Sequence, residues 1–184
     1  MSPNDEFDVV VICSGNRFRS PIAEAILRRE TDGLPVRVES FGTMDLPSGP
    51  ALKEALELAP TYDLDLKAHR SRPLAGHDLS AADLVIGFEP IHISTAVVSA
   101  RARREHTFLI TELVSGLEAS PLPPEHGVVE RARTALRAAD EARKAAPGAA
   151  REIADPMGGP SAGYRRTADE VYSLTNRLAE LLFR

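Results

Sequence analysis

Near the start of the chain, Phe7 to Ile12 form a short and mostly apolar run in which three valines stand together. A β-branched run of this length is typical of a strand buried on both faces of a parallel sheet. Cys13 follows at the carboxyl end of that strand, and Ser14 to Arg19 predict a loop. Ser20-Pro21 then predict the N-cap and first position of a helix, which continues through Ile22 to Leu27. This segment therefore predicts a strand, a loop and a helix in succession.

The same alternation continues along the chain. Strands are predicted at 36–41, 83–88 and 107–110, and helices at 51–58, 91–104 and 164–183. This order indicates a single α/β domain, 1–184, with a central parallel sheet of about four strands and helices on both faces. Ligands of such sheets bind at the carboxyl ends of the strands, where Cys13 lies.

The segment 115–150 has a different composition. Three prolines, at 121, 123 and 124, precede Glu130 to Ala146, which is rich in alanine and charged residues and poor in large apolar ones. We expect a helical insertion at about 115–150 within the domain, lid-like or peripheral.

Composition and charge exclude several classes of protein. The net charge of −5 argues against broad nucleic-acid binding, and no apolar run approaches the roughly 20 residues that span a bilayer. The first residues, MSPNDEFD, carry acids where a signal peptide carries basic residues, so we expect a cytoplasmic protein with no membrane insertion. The single cysteine allows no internal disulfide, and the five histidines show no metal-ligand spacing. We expect no metal and no cofactor.

The loop from Cys13 to Ser20 reads Cys-Ser-Gly-Asn-Arg-Phe-Arg-Ser. Gly15 and Asn16 tolerate left-handed backbone, so successive N–H groups can turn inward and bind an anion beside the start of the following helix. In that positive field the thiolate of Cys13 is favoured, and the Ser20 hydroxyl can donate to the sulfur. Arg19 can hold two phosphoryl oxygens with its planar fork. The loop predicts phosphate binding and nucleophilic attack by Cys13.

A structural explanation competes with this hypothesis. A lone cysteine at the end of a buried strand is usually a small core residue, and C-x5-R arises often by chance in an arginine-rich chain. The strand before the loop, Gly and Asn within it and Ser-Pro after it are harder to explain by packing alone. We therefore favour the chemical interpretation.

The chain resembles the low-molecular-weight protein tyrosine phosphatase family, whose signature is C-x5-R-S near the N-terminus. The resemblance extends over most of the chain and rests on Val11 to Asn16, Arg19 to Glu24, Ser40 to Thr43, Ala68 to Arg72, Ala82 to Val85 and Asp155-Pro156.

The resemblance implies a phosphomonoester phosphatase with a phosphocysteine intermediate, acting on a phosphorylated protein or a small phosphorylated metabolite. In this family an aspartate of the late Asp-Pro motif is the general acid, a role that falls on Asp155. The resemblance also implies that Asn16, Ser40 and His69 support the loop by hydrogen bonds.

Three positions depart from the family pattern. Phe18 stands where many members have a second cysteine, so oxidised Cys13 should lack a neighbouring thiol that could rescue it. Arg17 replaces an apolar residue or threonine, and we hypothesise that a second cation at the pocket mouth favours more negatively charged substrates, unless it points to solvent. Met157-Gly158-Gly159 replace the aromatic residues of phosphotyrosine-specific members. Phosphoarginine, on which some bacterial relatives act, is therefore an alternative substrate.

Two other functions stay open at this point. Arsenate reductases of related fold use a similar loop, but with one cysteine only a version that employs an external thiol is possible. The chain could instead be a catalytically silent phosphate-binding module. Such modules typically lose a reacting group, whereas this sequence keeps the nucleophile, the arginine and the candidate acid.

Overall fold

The computed structural model describes residues 6–120, 127–145 and 150–184. Its strands form one parallel four-stranded sheet in the order β2-β1-β3-β4, which confirms the predicted architecture. The strands are β1, Phe7–Cys13; β2, Val36–Gly42; β3, Leu84–Gly87; and β4, Thr107–Leu109. The α-helices are α1, Arg19–Glu30; α2, Lys53–Leu58; α3, Pro90–Ser99; α4, Ile110–Ala119; α5, Val128–Ala145; and α6, Ser161–Phe183, with short 3-10 turns at Ala59–Tyr62 and Arg104–His106.

The strand register brings all the carboxyl ends to one edge of the sheet. Cys13 pairs with Gly42 of β2, and Ile12 pairs with Gly87 of β3. Gly87 in turn pairs with Leu109 of β4. Residues that directly follow these strands are therefore gathered around Cys13.

Helices cover both faces of the sheet, as predicted. Val9 and Val11 of β1 point into the larger apolar cluster, which includes side chains of α1, α4, α5 and α6. Val10 and Ile12 point to the opposite face, into a smaller cluster with Ala96 of α3. Because both faces are covered, β1 is apolar almost throughout.

Several local predictions were wrong at element boundaries. The helix predicted at 91–104 ends at Ser99. Helix α1 begins at Arg19, so Ser20 lies inside the helix and is not its N-cap. The predicted strand 107–110 ends at Leu109, because Ile110 already begins α4. This helix was not predicted. Its buried residues, Leu113, Val114 and Leu117, have the spacing of one helical face.

Helix α5 packs through small side chains that include Ala132, Ala135 and Ala139. Arg133 donates to the Asp83 carboxylate and to the Glu6 carbonyl oxygen, both of which precede strands at the amino edge of the sheet. This part of α5 is therefore peripheral to Cys13, which lies at the opposite edge. The predicted insertion at about 115–150 remains a prediction. The three prolines and Ala146 of that prediction lie outside the described residues.

Helix α6 is the strong amphipathic helix that the sequence predicted. Val171, Leu178 and Leu182 are buried, whereas charged residues occupy its other face. Within the described ranges, no helix combines the length and the apolar character needed to cross a membrane.

The first turn of α3 is organised by His92. Glu89 is the N-cap residue, Pro90 occupies the first turn and the His92 side chain accepts from the backbone N–H of the N-cap. The ring is fully buried, and its Nδ1 accepts the N–H groups of both Phe88 and Glu89 at 3.1 Å. Burial, aided by the positive charge of Arg19, lowers the pKa of His92 to about 3.

We predict that His92 makes the fold sensitive to mild acid. Above about pH 6.5 the ring is neutral in both the folded and the unfolded chain. Between that value and the folded pKa of about 3, only the unfolded chain binds the proton, so the free energy of unfolding falls as the pH falls. This group contributes a slope of up to about 1.4 kcal/mol per pH unit.

Urea unfolding at several pH values between about 7 and 4 measures this slope. The His92→Asn variant lacks the ionisable ring and should show a smaller pH dependence than the wild type. Equal slopes in the two proteins would contradict the assignment.

Candidate functional site

The loop between β1 and α1 turns its carbonyl oxygens outward. The carbonyl oxygen of Cys13 accepts the N–H of Thr43, and the carbonyl oxygen of Ser14 accepts the N–H of Met44. The carbonyl oxygen of Arg17 accepts the N–H of Leu52, and the carbonyl oxygen of Asn16 accepts the Nε2–H of His69. All four distances are 2.8–2.9 Å. In a planar trans peptide the N–H points opposite to the C=O. The N–H groups that follow these carbonyls therefore point toward the inside of the loop, as an anion-binding nest requires.

The left-handed conformation predicted within the loop occurs at Asn16, with φ of 52°. Gly15, which tolerates the same conformation, does not adopt a positive φ. The glycine on which the loop depends is Gly42, at the end of β2. A Cβ there would lie 2.9 Å from the Ser14 carbonyl oxygen and 3.0 Å from the Asn16 nitrogen, too close for a side chain.

Cys13 is buried and ends a directed chain of hydrogen bonds. Its Sγ lies 3.0 Å from the Ser20 Oγ, which accepts from the Asn16 Nδ2 at 2.9 Å. The same Nδ2 donates to the Ser40 Oγ at 2.7 Å, and the Ser40 hydroxyl donates to the Glu24 carboxylate. Because Ser20 accepts from Asn16, its own proton is available to the sulfur. The arrangement therefore lets Ser20 donate a hydrogen bond to the Cys13 sulfur.

Asn16 is held from two further directions. His69 donates its Nε2–H to the Asn16 carbonyl oxygen at 2.8 Å, and the backbone N–H of Arg72 donates to the Asn16 Oδ1 at 2.9 Å. The structure thus brings together Asn16, Ser40 and His69, which the sequence grouped. It adds Glu24 and Arg72, which the sequence did not single out as parts of the site.

The Arg19 guanidinium is buried, with 1% of its side chain exposed. It forms ion pairs with Glu89 at 2.6 Å and Asp155 at 2.7 Å. It also donates to the Ile153 carbonyl oxygen at 2.8 Å and to the Ser14 Oγ at 3.2 Å. A buried cation needs such compensation, and its pairing places Asp155 at the loop.

The segment that carries Asp155 is fixed at several points. The Ile153 N–H donates to the Phe88 carbonyl oxygen, next to the end of β3, at 2.9 Å. Asp155 Oδ1 accepts the N–H of Met157 at 3.1 Å. The Tyr164 hydroxyl accepts the N–H of the next residue, Gly158, at 3.1 Å. The Asp155 carboxylate therefore sits on a short segment tied to both β3 and α6.

Two loop side chains pack outside the nest. Phe18 is buried and meets the ring of Tyr164 edge to face, with centroids 5.2 Å apart. Arg17 donates to the Pro47 carbonyl oxygen at 2.8 Å and contacts the Ser71 Oγ at 3.4 Å. Its guanidinium is thus bound to the neighbouring segment and not free in solvent. Its influence on substrate charge stays a hypothesis.

Sequence reasoning missed Glu89 and His92. Glu89 pairs with Arg19, and the His92 Nε2 lies 3.1 Å from the Ser14 Oγ. A signal was present, since both follow β3, whose carboxyl end lies beside that of β1. Among residues 6–120, 127–145 and 150–184, no group of three or more His, Cys, Asp or Glu side chains could hold a metal ion.

Known proteins share this sequence pattern over long stretches. The protein-arginine-phosphatase of Bacillus subtilis (strain 168) is 29% identical over 177 residues, which cover 95% of this chain and 96% of that protein. The low molecular weight protein-tyrosine-phosphatase Etp of Escherichia coli (strain K12) is 34% identical over 101 residues, or 55% of this chain and 67% of Etp.

Solved structures share the fold. The crystal structure of a YwlE mutant from Bacillus subtilis superimposes with a TM-score of 0.70 at 28% identity, covering 97% of this chain and all of the other. The low molecular weight protein tyrosine phosphatase from T. tengcongensis gives a TM-score of 0.68 at 27% identity, with coverage of 95% and 99%. The sequence model for low molecular weight phosphotyrosine protein phosphatase matches residues 8–123, and this chain belongs to that family.

Proposed function

We propose that this protein is a metal-independent protein phosphatase with Cys13 as its nucleophile. The observation that carries the proposal is the convergence of the Cys13 sulfur, the inward-facing N–H groups of its loop and the Arg19–Asp155 ion pair at one sheet edge. Each has a task in phosphoryl transfer. The thiolate attacks phosphorus, and the N–H groups and the guanidinium stabilise the phosphoryl oxygens. Asp155 donates a proton to the leaving atom and later accepts one from water.

In the first step of the proposed reaction, the phosphoryl oxygens bind the loop and take the place of the Asp155 carboxylate on Arg19. Released from Arg19, the Asp155 carboxylate takes up a proton from solvent and faces the leaving group. The Cys13 thiolate forms the P–S bond while the bond from phosphorus to the leaving atom breaks, and Asp155 gives that atom its proton.

In the second step, the Asp155 carboxylate takes a proton from water as the water oxygen attacks phosphorus. The P–S bond breaks, the thiolate is restored and inorganic phosphate leaves. The Ser20 hydroxyl, 3.0 Å from the sulfur, stabilises the departing thiolate. Such a thiolate enzyme suits a reducing compartment, and we place it in the cytoplasm.

We predict that hydrolysis of para-nitrophenyl phosphate, measured with EDTA present, needs both reacting side chains. Cys13→Ser should reduce turnover to background. Asp155→Ala should lower kcat by roughly 10²- to 10⁴-fold, with a larger deficit on phenyl phosphate because its leaving oxygen needs the proton more.

Asp32→Ala, a change at an exposed aspartate, is the matched control and should leave kcat unchanged. Reduced, folded wild type without activity would contradict the proposal. In that case, arsenate-dependent consumption of an external thiol would support the reductase, and phosphate binding alone would support the silent module.

Phosphoproteins are the proposed substrates, and phosphoarginine is a second candidate beside phosphotyrosine. Two observations favour it: the protein-arginine-phosphatase of B. subtilis aligns along nearly the whole chain, and the residue after Asp155-Pro156 is not aromatic. Met157 is 58% exposed at that position, so no phenyl ring there stacks on a substrate ring. Small phosphorylated metabolites are the third class of candidate substrate, to be assayed beside phosphotyrosine and phosphoarginine.

We predict that Met157→Tyr selectively improves hydrolysis of phosphotyrosyl peptides. A stacked ring pair contributes about 0.5–1.5 kcal/mol, so kcat/KM should rise about 2- to 10-fold, with little change for phosphoarginyl peptides. Met157→Leu controls for the loss of the thioether. An equal gain on both peptide classes would show that ring stacking is not the cause.

Oxidation gives a further prediction, because Cys13 is the only cysteine of the chain and Phe18 packs on Tyr164 beside it. Prolonged exposure to peroxide should inactivate the enzyme with a loss that dithiothreitol does not restore, as sulfenic acid proceeds to sulfinic acid. Mass spectrometry should find two added oxygens on Cys13. Full recovery after long exposure would contradict this, and Phe18→Cys should increase the recoverable fraction.

A further inference from the structure

The hydroxyl of Ser14, the residue after Cys13, lies between two nitrogen-bearing side chains. The Arg19 guanidinium donates to the Ser14 Oγ at 3.2 Å. The His92 Nε2, from the first turn of α3, lies 3.1 Å from the same oxygen. The direction of the second contact decides what Ser14 can do.

The surroundings of the ring settle that direction. Nδ1 of His92 accepts the backbone N–H groups of Phe88 and Glu89, both at 3.1 Å, so this nitrogen carries no proton. The ring proton is therefore on Nε2, which faces the Ser14 Oγ at 3.1 Å and the Glu89 carboxylate at 3.4 Å. The complete burial of the ring and the lowered pKa of His92 agree with a neutral ring that has one proton to donate.

With His92 and Arg19 both donating, the two lone pairs of the Ser14 oxygen are occupied. The hydroxyl proton of Ser14 must then point away from both donors. An anion held by the neighbouring N–H groups of the loop is the acceptor that this geometry leaves for it. Without the His92 donor, the hydroxyl is free to rotate and to donate in another direction.

We propose that His92 is a positioning residue, which donates from Nε2 to Ser14 and so directs the Ser14 hydroxyl toward the anion bound beside Cys13. The effect on turnover rests on the proposed phosphatase function. The effect on anion binding does not, because it needs only the loop.

Two substitutions separate this role from the capping role of the same ring. In His92→Asn, the side-chain oxygen can stay near the position of Nδ1 and accept the backbone N–H groups, but no donor reaches Ser14. In His92→Gln, the longer side chain brings an N–H donor to the position of Nε2 while the acceptor near Nδ1 is lost.

We expect His92→Asn to lower kcat for para-nitrophenyl phosphate by about 10-fold and to raise KM by about 3- to 10-fold, and His92→Gln to retain most of kcat. In a Ser14→Ala background, His92→Asn should cost less than about 2-fold, because the two residues act through one contact. The reverse order, with Asn active and Gln impaired, or additive costs in the double variant, would overturn the proposal in favour of helix capping.

A second measurement needs no turnover. Iodoacetamide alkylates Cys13 alone, since the chain has no other cysteine, and inorganic phosphate should protect it. His92→Asn should raise the phosphate concentration for half-protection by about 3- to 10-fold, whereas His92→Gln should not. This shift in a protein without phosphatase activity would refute the proposed function and uphold the role of His92. Unchanged protection and unchanged kcat in an active enzyme would uphold the proposed function and overturn the role of His92.

The wild type alone offers a third readout if both variants fail to fold. Nitrogen-15 NMR of histidine-labelled protein reports which ring nitrogen carries the proton. A proton on Nε2 of His92 supports the proposal, and a proton on Nδ1 overturns it.

Discussion

The rest of the site depends on the buried guanidinium of Arg19. An arginine keeps its charge at any accessible pH, so burying it requires counterions and hydrogen-bond acceptors from the fold. Glu89 and Asp155 supply the charge from positions 70 and 136 residues further along the chain, and Ile153 supplies a carbonyl oxygen. Removing one carboxylate leaves the buried guanidinium short of a counterion and so destabilises the folded chain. The same contact that stabilises the folded chain thus brings the candidate acid to the loop.

A second set of contacts has a defined direction. Glu24 accepts from Ser40, Ser40 and Ser20 both accept from Asn16, and Ser20 is left to donate to Cys13. Each hydroxyl therefore has its proton assigned by its neighbours, and the orientation at the sulfur follows from a carboxylate on the far side of the loop. A satisfied buried network of this kind acts as one unit, so a change at one end is felt at the other.

The elements that could be predicted from the sequence are those encoded by local pattern. The apolar run of β1, the loop ending at Arg19 and the amphipathic stripe of α6 can each be recognised within about 20 residues. The prediction that Ser20 is the N-cap of α1 was wrong. Serine before proline is a good N-cap, but here the Ser20 hydroxyl is hydrogen-bonded to the Cys13 sulfur and to Asn16. Glu89 and His92 became parts of the site only through the pairing of β1 with β3, which no short stretch of sequence contains.

The outward anchoring of the loop carbonyls has a consequence for what the site can distinguish. The cavity lined by N–H groups is built by contacts with Thr43, Met44, Leu52 and His69, so it is formed before any ligand arrives and little ordering is needed on binding. In the proposed reaction, such a preformed loop recognises the phosphoryl group and not the group attached to it. Free phosphate, the product of the proposed reaction, presents the same oxygens to the loop as the substrate does. Discrimination between substrates is therefore left to the rim, where side chains can change without disturbing the chemistry beneath.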